Sequence, residues 1–517
     1  MVTARALPMG ESAFLLEVST LDEVLATHAS LAASRPEGVI DLVPAARTVL
    51  VRVDPRVLSV AAARAWALES AQAADTAAEK RGELQQVDIV YNGADLAGTA
   101  MLLGVTVERL IDDHLSAEWR VAFTGFAPGF GYLVSADWPH DVARLDAPRT
   151  RVPVGAVGLA GGFSGAYPRE TPGGWRLIGT TDAPLFAPEA ERPALLAPGM
   201  RVRFRRVDDL AGDVLNPPAG VATARVDDPG AAIRIVESGL LATLQDLGRP
   251  GAASLGVAPS GALDRRALRT ANRLLGNAET AAAIEVTMGG FRATAHRDLW
   301  IALTGASGSV TLDGHPVDPY RPVQWRRGQE LFLDWFTRGA RAYLAVRGGW
   351  AGPTILGSRS SDVLAGLGRP PLRASQQMTV SEEHAGPIPP VDLSPWGAPH
   401  DGDLDIELAE GPRAECFGAS AHAAFFDTVW TVSNNADRVG IRLDGPPLER
   451  EHAGELPSEG MVPGAIQVPP SGQPAVLMAD GPVTGGYPVI AVVTDAALSL
   501  LGQARPGTRV RFRHALH

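Results

Sequence analysis

Residues Phe123–Leu133, FTGFAPGFGYL, put four aromatic rings, three glycines and a proline into eleven positions. Rings give rigid apolar walls, and glycine lets a backbone come close to a neighbour. In a chain that is only 6% aromatic, such a stretch suits a small-molecule pocket. Phe126, Phe130 and Tyr132 would be its walls, with Pro128 between them, and Gly125 and Gly129 would bring backbone amides toward the ligand. A glycine-rich barrel corner buried in protein is the alternative. Tyr167 and Trp175 flank a turn in AYPRETPGGW and could line the same cleft. His114, just upstream, reads as an acid–base group or as a helix-terminal residue that complements the helix dipole.

A second set of chemical groups lies further along. Ser260 and Asp264 sit in PSGALD, Asp437 and Arg438 in ADRVG, and Glu459, Gln467 and Asp480 among β-branched and apolar neighbours, with Tyr487 shortly after. Carboxylates buried there need cationic partners, for which Arg249, Arg359 and Arg438 are candidates. Ser260 and Asp264 read equally well as turn and cap residues, and Asp437–Arg438 as a surface pair of little energetic weight. Which carboxylate would act as base stays open. His114, Asp264, Asp437, Arg438 and Asp480 form the catalytic shortlist. The other residues named are substrate-binding candidates.

Several chemistries are excluded by what is scarce. The chain holds 46 Lys and Arg, of which only Lys80, in TAAEKRGE, is lysine. A Walker A loop and a Schiff-base site each need a lysine in a particular setting, and Lys80 has neither. The 11 histidines contain no His-x-x-x-His pair, and Cys416 is alone, so no metal site is expected. No Gly-x-Ser-x-Gly elbow marks a serine hydrolase. A net charge of −12 argues against nucleic-acid binding, and no apolar run is long enough for a membrane helix. The single cysteine and the lack of a secretory leader point to the cytoplasm.

These groups need a scaffold, and the pattern along the chain supplies one. Residues 1–85 mix the strands SAFLLEVS and RTVLVRVDP with an amphipathic helix, VLSVAAARAWALESAQAA, which suggests a small α+β domain. Residues 86–207 carry two helical pieces, the second capped by Thr106, then short apolar runs between Gly and Pro turns, as in a β-barrel. Residues 208–232 read as a linker. Residues 233–392 read as a second-half barrel with a helical insertion in LDRRALRTANRLLGN, with Asp264 able to cap the helix and Leu268, Ala271 and Leu275 forming its apolar stripe. Residues 393–517 form a closing barrel part. An internal echo ties the ends of the two halves together: GGWRLIGTTDAPL and PGMRVRFR near 173–205 recur as GGYPVIAVVTDAAL and PGTRVRFR near 485–513. Duplication of a barrel explains it.

Those segments also carry a family resemblance. FTGFAPGFGYL, VPVGAVGLAGGFSGAYPRETPGGWRLIGTT and PGMRVRF resemble the kinase-inhibitor-type protein, or allophanate hydrolase subunit 1. TLQDLGRPGAASLGVAPSGALDRRALRTANRLLGN, GSRSSDVLAGLG, ADRVGIRL and MADGPVTGGYPVIAVVT resemble its antagonist, subunit 2. The chain looks like a fusion of both. The resemblance implies a mainly β fold of duplicated cyclophilin-like barrels with an α+β N-terminal part. It also implies the B-type and C-type subunits of ATP-dependent 5-oxoprolinase, which cleaves 5-oxo-L-proline to L-glutamate using ATP with Mg2+ and a separate A-type hydrolase subunit. Two alternatives share the family: the carboxyltransferase component of a biotin-dependent urea or amide carboxylase, and a regulator that binds a histidine kinase. VLMAD is not a biotinylation motif and lacks the lysine, so biotin would have to come on another chain. A homo-oligomer is compatible with all three.

Urea, the ureido ring of biotin and the lactam of 5-oxoproline share an N–H beside a C=O. Their site needs donors to the oxygen and an acceptor for the N–H, and with no lysine available arginine would handle any anion. The family usually carries arginine after GGWRLIG. Here it is Thr180, which puts the substrate in question.

Overall fold

A computed structural model of the protein describes residues 2–75, 82–210, 212, 230–381, 383, 385–390, 397–399, 402–451, 454 and 456–515. Lys80, and all of the 208–232 linker except 208–210, 212 and 230–232, lie outside the described residues.

The strand Ala13–Glu17 explains how the N-terminal part is layered. Ala13, Phe14, Leu15 and Leu16 are all buried, although successive strand side chains point to opposite faces. Both faces must therefore be covered. Phe14 and Leu16 join a core with Val24 and Leu31 of the helix Leu21–Ala33 and Ala63 and Ala67 of Val60–Gln72. Ala13 and Leu15 pack with Met461, Ala465, Val489 and Val492 from the far end of the chain. Thr20 and Ser59 cap the two helices by accepting from Glu23 N–H and Ala62 N–H, which satisfies amides that have no intrahelical partner. The N-terminal sheet is thus a plate between two helices and the C-terminal barrel.

Two seven-stranded sheets share one plan. The first runs, in spatial order, Arg176–Thr180, Ala156–Ala160, Phe163–Ala166, Gly131–Val134, Trp119–Thr124, Arg201–Arg206 and Leu84–Ile89. The second, a closed barrel, has Val489–Val493, Ala465–Gln467, Ala475–Leu477, Gly440–Asp444, Trp430–Ala436, Arg509–His514 and Leu404–Glu410 in the corresponding places. In each, the last two strands are parallel, with Phe204 opposite Val87 and Phe512 opposite Ile406. The bridge Val90–Thr180 joins the end strands of the first sheet, as the Leu408–Val493 pairing does in the second. The repeated sequence segments supply equivalent strands, so the duplication is one of fold. Thr180 is spent on that seam, where its hydroxyl donates to Asn92 Oδ1 at 2.9 Å.

Each barrel is plugged in the same way. The Trp119 indole donates to the His114 carbonyl at 2.9 Å, and the Trp430 indole to the Phe425 carbonyl at 3.0 Å. The His114 ring lies 4.5 Å from Phe204, and that of Phe425 lies 4.7 Å from Phe512. His114 therefore occupies the place that phenylalanine takes in the second barrel.

Between the two barrels in chain order come a five-stranded and a six-stranded sheet around one core, which includes Ile233, Phe291, Ile284, Leu303 and Leu344. The helix Arg265–Leu274 begins at Asp264, whose carboxylate accepts from Ala267 N–H at 3.0 Å, and it buries Leu268 and Ala271.

Candidate active site

The loop after the strand Trp119–Thr124 turns sharply: Phe126 has φ +65° and Gly129 φ +77°. Non-glycine residues adopt such angles only when their surroundings compel it. The loop is pressed from both halves of the chain. A Cβ on Gly125 would lie 2.1 Å from Thr484 Oγ1, and one on Gly129 would lie 2.7 Å from Leu185 O and Phe186 Cβ. The Gly129 amide donates to Leu255 O at 2.9 Å, and the Thr124 hydroxyl donates to the Ser254 carbonyl. Pro128 is buried beside Gly256. The two glycines therefore admit protein, not ligand: they let the halves interlock, and their amides are not presented to a substrate.

The rings do line a cavity. Phe126, Phe130, Tyr132, Tyr167 and Trp175 bound about 300 Å3, together with Arg144, Pro148 and the Gly173–Gly174 backbone. Phe130 is the hub, with ring centroids 5.0 Å from Tyr132, 5.2 Å from Tyr167 and 5.3 Å from both Phe126 and Trp175. Edge-to-face packing of this kind holds the walls rigid. Burial pushes the phenols of Tyr132 and Tyr167 up to about 12, so both stay neutral.

Across the junction lies a buried polar centre. Arg438 donates from Nε to Asp480 Oδ2 at 2.9 Å and from Nη2 to Asp480 Oδ1 at 3.0 Å. Its Nη1 donates to Glu285 Oε1 at 2.6 Å, and Nη2 also reaches Gly261 O at 2.7 Å. Ser260, held at φ +55°, donates its hydroxyl to Asp480 Oδ1 at 2.5 Å. Burial would raise the Glu285 carboxyl, but the guanidinium groups of Arg438 and Arg341 outweigh it and hold it below the ordinary range. Tyr343 donates to Glu285 Oε2 at 2.7 Å and accepts from Asp264 N–H at 2.7 Å.

The loop Ser358–Gly368 closes this centre. Asp246 anchors it, taking the hydroxyls of Ser358 and Ser360 at 2.6 and 2.5 Å and the Arg359 amide at 2.7 Å. Asp362, buried beside Asp480, accepts from Ala365 N–H at 2.7 Å, and Val363 N–H donates to Asp480 Oδ2 at 3.2 Å. Desolvation, then the neighbouring Asp480 charge, raise the Asp362 carboxyl to about 7. Arg249 is buried there too and donates to the Ser360 carbonyl. Arg169, six residues before Trp175, crosses from the first half to donate to Leu364 O at 2.6 Å.

The structure thus brings together Arg249, Ser260, Arg438 and Asp480 in one cluster, and Phe126, Phe130, Tyr132, Tyr167 and Trp175 in another. The remaining sequence candidates lie elsewhere. His114 is fully buried between Tyr91 Oη at 2.7 Å and Ser164 Oγ at 2.9 Å, and burial lowers it to about 3; it is a neutral core residue away from the aromatic cavity. Asp437 is exposed and caps the turn at Val439 and Gly440, because its neighbour Arg438 alone turns inward. Arg359 pairs with Glu383, and Glu459 pairs with Arg413, which also holds Glu17 of the N-terminal domain at 2.6 Å. Gln467 packs by Met461 and Gly485, and Tyr487 is half-buried just beyond. Asp264 serves as the helix cap and lines a separate cavity of about 550 Å3 with Tyr320 and Gln503. Sequence reasoning passed over Glu285, Asp362, Asp246, Arg169 and Arg144. The signal available for Glu285 was a lone charge inside the apolar strand Ala283–Thr287, since an unpaired carboxylate is rarely buried.

Residues 255–514 match the carboxyltransferase domain, subdomains A and B, and residues 4–196 match its subdomains C and D. The chain belongs to the carboxyltransferase-domain family. Within that family, the C-type subunit of 5-oxoprolinase from Haemophilus influenzae is 38% identical over 281 residues, covering 52% of this chain and 87% of that protein. The B-type subunit of the enzyme from Escherichia coli O157:H7 is 43% identical over 131 residues, 25% of this chain and 60% of that protein. The urea amidolyase of Lachancea kluyveri is 32% identical over 335 residues, 59% of this chain but 18% of that much longer protein. The crystal structure of TTHA0988 superposes with a TM-score of 0.84 at 35% identity, covering 99% of this chain and 100% of that one. The K. lactis urea amidolyase gives 0.51 at 29% identity over 55% of this chain and 19% of that chain. This carboxyltransferase-family chain therefore unites, in one polypeptide, stretches similar to two separate 5-oxoprolinase subunits.

Proposed function

We propose that the chain is the B-plus-C portion of an ATP-dependent 5-oxoprolinase, which opens the lactam of 5-oxo-L-proline to L-glutamate with a separate A-type hydrolase subunit. The observation that carries this is the interlock: the half similar to the B-type subunit and the half similar to the C-type subunit meet through Gly125 against Thr484. Thr484 lies four residues from Asp480, and Phe126 beside Gly125 walls the aromatic cavity. A two-subunit active site would form at such a junction, and fusion keeps its walls at high effective concentration.

The buried centre suits an amide. Opening a lactam places negative charge on the carbonyl oxygen, and guanidinium or hydroxyl donors fixed nearby stabilise that charge at little reorganisation cost. Asp480 is held by Arg438 with defined oxygen positions and accepts the Ser260 hydroxyl. In this role Asp480 fixes the Ser260 oxygen, whose free lone pair accepts the lactam N–H, and the ring-walled cavity takes the flat ring of the substrate while excluding water.

Nucleotide fits neither the aromatic cavity nor the Arg438 centre. The aromatic cavity offers Arg144 but no carboxylate for Mg2+, and Arg438 is saturated by carboxylates and a carbonyl. ATP, which would activate the lactam oxygen, is therefore assigned to the A-type subunit, and no step on this chain runs through it.

The test is glutamate formation and ATP hydrolysis by the purified chain with a candidate A-type subunit, with 5-oxo-L-proline or urea supplied. Turnover that needs both the partner and 5-oxo-L-proline is expected. Its absence with a partner of proven competence would end the proposal. The match to urea amidolyase favours one second function, carboxyl transfer to urea or another amide from biotin carried on another chain. Carboxybiotin-dependent transfer in place of lactam cleavage would establish it.

A further inference from the structure

Two buried polar atoms beside Asp480 have no hydrogen-bond partner among the described residues: Asp362 Oδ2 and Arg249 Nη1. Their residues are 2% and 1% exposed, and leaving such groups unsatisfied inside protein is costly. Neither answers the other, for the two side chains form no ion pair among the described residues, although each feels the other's charge. One is an acceptor and one a donor, both fixed. Asp362 Oδ1 is held by Ala365 N–H, and the Arg249 guanidinium by the Ile355 and Ser360 carbonyls.

A hairpin tip adjoins them. Asp362 and Leu367 pair at its base, and Val363–Gly366 form the turn. Val363 and Leu364 are 36% and 47% exposed, so the tip turns apolar side chains outward over a polar floor. Its outer tether is the Arg169 bond from the first half to Leu364 O, and its inner one is Val363 N–H to Asp480. The cover is thus attached at few points, one of them in the half that carries the aromatic cavity.

We propose that Asp362 Oδ2 and Arg249 Nη1 are the recognition pair for one amide unit, the carboxyl accepting its N–H and the guanidinium donating to its C=O, reached when the 363–366 tip swings away from Arg169. This rests on the small-amide substrate class assigned above, not on which amide it is. Asp362 is then a substrate-binding residue, and Arg169 the latch that couples the first half to access.

Calorimetric titration of the full chain at pH 8, where the Asp362 carboxyl is ionised and Oδ2 can accept, with 5-oxo-L-proline and its N-methyl derivative, and with urea and tetramethylurea, tests the pairing. Loss of the N–H should weaken binding to the wild type by roughly tenfold or more, the value of a hydrogen bond to a charged group. The same loss should cost less than about twofold in Asp362→Asn, since its acceptor is already altered and the two changes share one contact. Equal losses in both proteins, or no binding of any of the four probes to the wild type, would overturn the proposal. Should Asp362→Asn not fold, Arg169→Gln carries the test: freeing the tip should raise the association rate of the bound amide several-fold, and an unchanged rate would overturn it. Urea binding with the expected pattern, without 5-oxo-L-proline binding, would uphold the pair and fail the lactam function, which the turnover assay reads separately.

Discussion

Arg438 grips both carboxylate oxygens of Asp480, Nε to Oδ2 at 2.9 Å and Nη2 to Oδ1 at 3.0 Å, with both side chains almost wholly buried. The pair joins the turn before Gly440–Asp444 to the loop after Ala475–Leu477, and Glu285 ties it to the middle sheets at 2.6 Å. Removing one partner strands charge away from water.

Arg438→Met should therefore destabilise the protein by about 3–5 kcal/mol, because Asp480 and Glu285 lose their shared cation. Asp480→Asn keeps the volume and should unfold less readily than Arg438→Met, yet lower lactam turnover at least about a hundredfold if Ser260 is oriented by the carboxylate. Chemical denaturation and the coupled turnover assay separate the two effects.

His114→Phe should leave turnover within about twofold of wild type, since Phe425 fills the same place in the second barrel. It strands Tyr91 Oη and Ser164 Oγ, at a cost of about 1–3 kcal/mol near neutral pH. The wild-type imidazole, lowered to about 3 by burial, resists protonation in the fold. Between about pH 6.5 and 3 the unfolded chain binds a proton that the native chain refuses, so wild-type stability falls as pH falls. The variant should lose less stability between pH 7 and 5, as thermal melts at the two values would show. A large drop in turnover at full folding would return His114 to the chemistry.

The Asp362 carboxyl works in the opposite direction. Raised to about 7 by burial and by Asp480, against the pull of Arg249 and Arg438, and with Arg169 of the first half bonded to the same loop, it keeps a proton in the fold that the unfolded chain releases at about 3.9. Its contribution to stability is therefore lost as pH rises from about 4 to about 7. Asp362→Asn should melt higher than wild type at pH 8, with the difference shrinking toward pH 4. An equal difference at both values would mean that the carboxyl titrates normally.

Gly125→Ala should loosen the junction. The added Cβ falls 2.1 Å from Thr484 Oγ1, closer than real contacts allow, and overpacking of this kind costs about 1–3 kcal/mol. Adding Thr484→Ala should restore much of the loss, because the atom it leaves, Thr484 Cβ, is 3.1 Å away. Limited proteolysis across the two halves would report both changes.

Phe126→Ala should raise the KM for the amide roughly tenfold with little change in melting temperature. The ring is 41% exposed, so little packing is lost, while a wall of the cavity disappears.

Much of this architecture was legible in order along the chain. Apolar alternation and caps at Thr106 and Asp264 located helices, because those signals are local. The paired PGxRVRFR segments revealed the duplication, since equivalent strands with equivalent neighbours keep similar residues. The aromatic wall could also be named, as rings close in sequence on one loop have few other places to go.

The sequence by itself determined the inventory: a set of cations that is arginine but for Lys80, two barrels of one plan, a ring-rich loop, and carboxylates that would need partners. Only the tertiary structure decided who those partners are. Arg438 took Asp480 and Glu285, Arg413 took Glu459, and Arg359 took Glu383. It also decided that Gly125 admits Thr484 and not a substrate, and that His114 stands where Phe425 stands in the other barrel. Such pairings join residues up to hundreds of positions apart, where chain connectivity carries no information. Which buried charge meets which is fixed by the packing of whole barrels and sheets, whose apolar cores far outweigh any single ion pair.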